Sequence, residues 1–524
     1  MSHFSCVVIG NESLLIGCAE TLLRRGHDIR AVVSTDPAIR AWSADKGLLQ
    51  HDKTADLTGG FDWLFSIANL TVIPDATLSL AARGAINFHD GPLPRYAGLN
   101  TPNWALINGE VEHGISWHMI EGGVDEGDII AQRLFDVDKD ETAFSLNSKC
   151  YAAAMDSFGD VVAQLNDDAL QRQPQDLNQR RYFARADRPV AAGRLDFSRP
   201  TAELSRLVRG LDFGGYWNPL CSAKIDINGQ VVLVGTATAV DGSAPAGTVL
   251  EIAKDTLTVA TSDGAVTLGG LTLPDGSAVE IAQLCQCGDV LPALTVEQAK
   301  VVTQQMAATQ AGETHWRRAL KTMQPVHVPL ARDRGESGYD ALDIPLPQTL
   351  TVEQAQAAVL AWALLGSGDD TVDLALSSTG LTAKAMPGLI SGWVPLQARR
   401  DETLPDLLSR LEKDLAKVAK YGGFATDLIA RDPELTAQQM PELGLMLDTD
   451  APIKGCAATL ALTDGSARLH INRAHLGKDE AALLAARLSK ALTGISDLGD
   501  LPLSALSILP DDERLKILTQ WNAT

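Results

Sequence analysis

Over the first 190 residues, short apolar runs alternate with stretches of helical period. Residues 5–10, SCVVIG, are apolar throughout, as in a strand buried on both faces. Residues 12–25 place Leu14, Leu15, Cys18, Leu22 and Leu23 on one side of a helix. IRAVVS (29–34) reads as the next strand. A strand, a helix and a strand in about thirty residues make the unit of a parallel sheet with crossover helices. DWLFSIA (62–68) and GAINFHD (84–90) predict two more strands, with a helix over Ala76–Ala82 between them.

The texture changes at 180–200, where QRRYFARADRPVAAGRLDFSRP is polar, basic and broken by proline, as in a linker wrapped on a surface. A helix is expected at 201–211. Short alternating stretches rich in Val, Thr and Gly follow: AKIDI, QVVLVGTATAV, GTVLEI, TLTVATS and AVTLGGLTL. Turn signals separate them at roughly 8–12 residue spacing, the pattern of a small β-barrel. From about 300 the pattern is mixed α/β. Helices are expected at 296–322, 351–365 and 403–421, and strands near 371–377 and 456–463. Residues 329–347 read as an extended connection. The divisions expected are 1–190, 194–295 and 300–524.

Size and charge narrow the classes. At 524 residues the chain holds two to four domains. Its 44 Lys and Arg against 66 Asp and Glu leave a formal charge of −22. That argues against partners that are nucleic acids or anionic membranes, whose binding rests on neutralising phosphate. No run of 18 apolar residues predicts a membrane span, and the start MSHFSCVVIGNESLL has no signal-peptide pattern. Seven scattered cysteines suit a reducing compartment, and a cytoplasmic location is expected. Cys285 and Cys287 are too close for a usual zinc knuckle, and no metal is expected. The acidic stretch Asp136–Glu141 is expected to be a solvated face, and Trp316 and Trp362 to be core residues.

The stretch Asn87-Phe88-His89-Asp90-Gly91-Pro92-Leu93-Pro94-Arg95-Tyr96-Ala97-Gly98 carries the candidate chemistry. Asn87 and His89 lie two apart at a strand end and so share a face. Pro92, Pro94 and Gly98 then force a loop, where open α/β sheets place their sites. About 36 residues on stands Glu121-Gly-Gly-Val-Asp125-Glu-Gly-Asp128. An amide, an imidazole and a carboxylate suit acyl transfer to an amine. His89 would manage the proton, Asn87 would donate to the developing oxyanion, and Asp125 would orient the imidazole. A turn-forming Asn, a loop His and a capping Asp would look the same from spacing alone. Gly10-Asn11-Glu12 is a possible phosphate-binding turn, but it has one glycine and Glu12 would repel phosphate.

Residues 1–190 resemble the catalytic domain of 10-formyltetrahydrofolate-dependent formyltransferases. The resemblance rests on Asn87, His89, Leu93-Pro94, Gly98 and Val124-Asp125-Glu126-Gly127, and on the stretch Gly98–Glu110. It implies a Rossmann-like α/β domain with a parallel sheet, 10-formyltetrahydrofolate as co-substrate, and Asn87, His89 and Asp125 as catalytic residues. The segment matching the folate pocket is Ser66-Ile67-Ala68-Asn69-Leu70-Thr71-Val72. It implies Ala68, Asn69, Leu70, Val72 and Val124 as cofactor-binding residues, although many relatives have an aromatic residue and Gly in place of Asn69 and Leu70. The chain also has Asp90-Gly91 where relatives commonly carry a small residue.

Residues 194–295 resemble the carboxy-terminal, OB-like barrel of methionyl-tRNA formyltransferases, through Leu195–Pro200, Leu207–Leu211 and Pro245–Leu250. With few basic residues after Arg209, an RNA role is not expected of it. Residues 300–524 resemble the second half of a condensation domain of non-ribosomal peptide synthetases. His315–Leu320, Leu350–Gln354, Val359–Ala363 and Thr403–Leu408 carry that resemblance. Ile508–Arg514 and Trp521–Thr524 are similar to the linker into an adenylation domain. The His-His-x-x-x-Asp-Gly motif of condensation chemistry has no counterpart, since no His-His pair occurs. The resemblances together imply an N-formyltransferase acting on an amine, free or carrier-bound, with adenylation and carrier domains as partners. The alternatives are a 10-formyltetrahydrofolate hydrolase and a catalytically degenerate scaffold.

Overall fold

A computed structural model of the chain describes residues 3–166, 169–435, 439–516 and 518–519. The final Trp521–Thr524 motif lies outside the described residues. In the first 190 residues the elements run β1 (Ser5–Ile9), α1 (Leu14–Arg24), β2 (Asp28–Val33), α2 (Pro37–Asp45), β3 (Gln50–His51), β4 (Phe61–Ser66), α3 (Asp75–Leu78), β5 (Ala81–His89), β6 (Ala97–Gly98), α4 (Thr101–Asn108), β7 (Glu112–Met119), β8 (Ile129–Asp136), α5 (Ala143–Asn166) and β9 (Tyr182–Phe183).

Seven of these strands form one sheet in the order β3-β2-β1-β4-β5-β7-β8. The expectation of a parallel sheet is corrected: β1 to β5 are parallel, but β7 and β8 run antiparallel. The chain leaves β1 once towards β2 and once towards β4, so the order reverses beside β1. The helix expected over Ala76–Ala82 is shorter, because pairing of Ala81 with Phe61 draws Ala81 and Ala82 into β5.

The two faces of the sheet are unequally covered. Cys6, Val8, Phe65, Ile86, Phe88 and Trp117 face α1 and α5 in a large core. Val7, Ile9, Leu64 and Ala85 face a much smaller cluster. Strand alternation puts Asn87 and His89 on this thinner face, with Ala85.

The second region contains α6 (Thr201–Gly210), β10 (Lys224–Ile227), β11 (Gln230–Leu233), β12 (Thr236–Val240), β13 (Val249–Ile252), β14 (Thr256–Ala260) and β15 (Ala265–Gly269). Its strands form two hydrogen-bonded sets, a β10-β11 hairpin and a four-stranded sheet β12-β15-β14-β13, where one continuous barrel was expected. Its core runs on into Tyr96, Trp104, Leu106 and Leu146 of the first region.

The third region holds α7 (Val296–Lys321), β16 (Tyr339–Ile344), α8 (Val352–Ser367), β17 (Thr371–Ser378), α9 (Thr379–Thr382), β18 (Val394–Arg399), α10 (Leu404–Tyr421), α11 (Leu428–Arg431), β19 (Leu443–Leu447), β20 (Ala458–Thr463), β21 (Ser466–Asn472) and α12 (Lys478–Gly494). Six strands form a mixed sheet, β16-β21-β20-β19-β17-β18. Residues 329–347 are therefore not wholly a connection, since β16 is an edge strand paired with β21. Trp316 and Trp362 are buried in this core.

Buried charges join the second and third regions. Lys224 Nζ lies 3.2 Å from Asp427 Oδ2, and Arg431 Nε lies 2.9 Å from Asp427 Oδ1. Arg431 also reaches Glu313 at 2.7 Å and donates to the carbonyl of Asn218 at 2.6 Å. Of the seven thiols, all free, Cys287 is exposed and the others are buried. In the acidic stretch, Glu141 is buried rather than solvated, held by Lys149 and Ser145. Among the described residues no helix is long and apolar enough to cross a membrane.

Candidate active site

Register across the sheet builds the site. Ile9 pairs with Ser66, Ser66 with Asn87, and Asn87 with His118, so one rung spans β1, β4, β5 and β7. His89 lies one alternation further on, opposite Ser116. The loop after β7 returns over the same face and brings in Asp125. Asp125 sits at φ 56°, a left-handed conformation that short polar side chains tolerate better than most.

Asp125, His89, His118 and Asn87 form one cluster. Asp125 Oδ2 accepts from the Gly98 N–H at 2.8 Å and lies 3.7 Å from His89 Nδ1. Its Oδ1 lies 3.4 Å from His118 Nε2, which is 3.1 Å from the Asn87 amide nitrogen. His118 Nδ1 faces the Met119 carbonyl at 2.8 Å, and a carbonyl can only accept. The proton of neutral His118 is thus on Nδ1, and Nε2 accepts from Asn87. One amide N–H of Asn87 is left to donate elsewhere.

The ring of His89 is oriented by a different group from the one expected. Its Nε2 lies 2.6 Å from the Tyr96 carbonyl, so that nitrogen carries the proton. Asp125, expected to orient the ring, stands beyond hydrogen-bond distance of Nδ1 and acts through its charge. The Nδ1 lone pair is the basic atom, with Asp125 at 3.7 Å and Asp90 Oδ1 at 3.9 Å to stabilise the imidazolium. Burial alone would raise the Asp125 carboxyl. In their protonated forms His89 and His118, with the Gly98 N–H, outweigh it and hold this group well below the usual carboxylate range.

The loop from Pro92 to Gly98 is stitched in place from β7. Ser116 Oγ donates to the Gly91 carbonyl at 2.9 Å and accepts from the Leu93 N–H at 3.1 Å. The expected surface linker is part of the site. Its strand β9 pairs with β6, and Phe183 stacks on both Tyr96 and Trp104. Gly98 has φ +94°, and a Cβ there would come within 2.2 Å of the Phe183 carbonyl oxygen. On either side of β9, Arg180 donates to the Val124 carbonyl at 2.8 Å and Arg185 to the Leu70 carbonyl at 3.0 Å. An extended chain covers about 3.3 Å per residue. The two loops therefore stand within reach of one short segment.

The expected cofactor residues lie on these loops. Ala68 has a left-handed backbone at φ 49°. The Asn69 amide donates to the Thr71 carbonyl at 2.8 Å and lies 3.4 Å from Ser66 Oγ. Leu70, Val72 and Val124 are exposed, as is Tyr182 on β9. At the end of β1, Asn11 Oδ1 is taken by Ser34 and Thr35. Among the described residues no three His, Cys, Asp or Glu side chains are placed to hold a metal ion.

His118 is the residue that sequence reasoning missed. It stands 31 positions from Asn87, and only the β5–β7 register brings the two together.

Residues 62–162 match the family model described as Formyl transferase, and residues 190–287 match the model described as Formyl transferase, C-terminal domain. Solved structures give more distant likenesses. One is WlaRD, a sugar 3N-formyl transferase in the presence of dTDP and 5-N-formyl-THF, at 19% identity and TM-score 0.43, over 52% of this chain and 98% of that one. A second is an N-formyltransferase from Helicobacter canadensis in complex with folinic acid and dTDP-3-aminofucose, at 18% identity and TM-score 0.44, over 52% and 100%. A third is HypX from Aquifex aeolicus in complex with tetrahydrofolic acid, at 19% identity and TM-score 0.38, over 51% and 44%. The two matches, over residues 62–162 and 190–287, support a transferase enzyme, and the Asn87–His89–His118–Asp125 cluster lies inside the first of them.

Proposed function

We propose that the protein transfers the formyl group of 10-formyltetrahydrofolate to a primary amine, at the end of β5 that carries Asn87 and His89. The observation that carries this reading is the cluster itself: an amide N–H, an imidazole lone pair and a carboxylate share one face at the sheet edge, inside the 62–162 match. The exposed rim of Leu70, Val72, Val124 and Tyr182 is the surface for the pterin ring. Asn87 donates to the formyl oxygen as it gains charge. His89 Nδ1 takes a proton from the attacking nitrogen, and Asp125 stabilises the resulting cation. Relatives crystallised with folates support the choice of co-substrate.

The acceptor we favour is an amino acid or a carrier-tethered aminoacyl group. The support is the similarity of residues 300–524 to half of a condensation domain, with adenylation and carrier domains as the partners this implies. In that reading 1–190 is catalytic, 194–295 a docking unit and 300–524 a platform. The test is incubation with 10-formyltetrahydrofolate and candidate amines, with mass spectrometry for the N-formyl product and a parallel assay for formate. Product that depends on the amine is expected. Formate release independent of any amine would replace this reading with a hydrolase.

A further inference from the structure

Asn87, His89 and Asp125 account for the formyl donor, but not for how the acceptor nitrogen is received. Asp90 follows His89 at the bend that ends β5. Its carbonyl is fixed by Thr101 Oγ1 at 2.7 Å, His113 Nε2 at 2.9 Å and Cys150 Sγ at 3.8 Å. Its Oδ1 accepts from Thr101 Oγ1 at 3.0 Å and stands 3.9 Å from His89 Nδ1. The Asp90 side chain keeps 30% of its surface exposed, against 5% for His89. Among the described residues no Lys or Arg pairs with it.

Two carboxylates, those of Glu12 and Asp90, lie near Tyr151. Burial, then Glu12 and Asp90, push the Tyr151 hydroxyl of α5 up, which puts this hydroxyl in the field of both carboxylates. A cavity of about 310 Å³ opens between α1 and α5 beside Tyr151, Ser13 and Met155. The rim residues Leu70, Val72 and Val124 lie on loops tied to β9. His89 thus has beside it a partly exposed carboxylate with which no Lys or Arg pairs among the described residues.

We propose that Asp90 receives the acceptor: its carboxylate binds the nitrogen as a primary ammonium and takes its first proton. This selects cationic primary amines over acceptors with a phosphate beside the reacting nitrogen, and it rests on the formyl-transfer reading above. One N–H proton passes to the carboxylate and on to solvent. The freed lone pair forms the bond to the formyl carbon. The bond from that carbon to N10 of the folate then breaks. A second N–H proton, carried by His89, ends on N10, and the third stays on the formamide nitrogen.

The test compares Asp90→Asn with the unaltered chain, since Asn keeps the shape and the Thr101 contact. Butylamine, ornithine and glucosamine serve as ammonium probes, and methoxyamine as a nucleophile uncharged at neutral pH. Product is read by mass spectrometry and tetrahydrofolate release by absorbance. The ratio of kcat/KM for the ammonium probes to that for methoxyamine is expected to fall at least tenfold in Asp90→Asn, with the change mainly in KM. An unchanged ratio overturns the assignment of Asp90 and leaves formyl transfer standing. If the unaltered chain formylates none of the four probes and releases formate instead, the function proposed above falls, and this assignment with it. A thermal melt and folate binding of Asp90→Asn separate a folding defect from either result. If that variant is unfolded, Asp90→Glu, which keeps the charge, must hold the ratio within threefold, and a tenfold fall there also overturns the assignment.

Discussion

Around Asp427 a carboxylate, an ammonium and a guanidinium are closed over by protein, while around Asp125 a carboxylate stands between two imidazoles at the edge of a sheet. Both carboxyls are held well below the usual range against the opposing effect of burial. They differ in how fully their partners are bonded. Lys224, Arg431 and the Ser222 N–H all meet Asp427 at 2.9–3.2 Å, and Arg431 has further partners in Glu313 and Asn218. Asp125 has one close bond, to Gly98, and faces His118 at 3.4 Å and His89 at 3.7 Å. A fully bonded cluster fixes two regions against each other. A cluster with longer gaps keeps lone pairs and N–H groups for a reactant.

Substitutions can break this contrast. The largest effect is expected from His89→Ala and Asn87→Ala. Each should cut kcat/KM for formyl transfer by about 10²–10⁴-fold, while shifting the urea unfolding midpoint far less than a change at Asp427. Steady-state kinetics and urea titrations on the same preparations check both parts. Asp427→Ala should do the reverse. It leaves Lys224 as a buried charge without its counterion and Arg431 with Glu313 alone, at a cost of about 3–5 kcal/mol, and chemical denaturation would show it. If Asp427→Ala were as stable as the parent, the junction would not hold the regions together.

The pH dependence sharpens the comparison. A carboxyl depressed by folding contributes stability above its unfolded pKa, and that contribution is lost as pH falls through the folded value. Unfolding free energy should therefore drop from about pH 5 downwards, by about 2 kcal/mol per such group. The drop should be shallower in Asp427→Asn, as pH-dependent denaturation can test. Asp373 has the opposite sign. Burial pushes it up to about 6, against the bond from the Gln324 N–H. Its charge costs stability above that pH, so Asp373→Asn should stabilise the chain at pH 8 and not at pH 4. Gly98→Ala adds a clash with the Phe183 carbonyl to a backbone cost. The left-handed backbone costs about 1–2 kcal/mol, and displacement of Phe183 should raise KM for the formyl donor.

Much of the first sheet was legible in the residues. SCVVIG, IRAVVS and DWLFSIA are apolar enough to be strands buried on both faces, and β1, β2 and β4 lie there. Strand direction was not legible, because an apolar run has the same composition whichever way it runs, and β7 and β8 proved antiparallel. Asn87 and His89 could be placed on one face by alternation, and Asp125 stood out among glycines. His118 could not be found this way, since its place depends on pairing with Asn87 across 31 residues. The strand β9 was hidden because a two-residue strand in a basic, proline-broken segment leaves no periodic signal.

The sequence by itself determined the local matters: which runs are strands or helices, which face Asn87 and His89 share, and where a loop must form. Those follow from side-chain period and backbone restriction over a few neighbours. The tertiary structure decided which nitrogen of His89 is basic, what orients its ring, and that His118, Tyr96 and Gly98 complete the cluster. It also decided that Lys224 meets Asp427 across more than 200 positions. Such contacts depend on register and packing between distant segments, and hydrogen-bond geometry at that range has no imprint in local residue order.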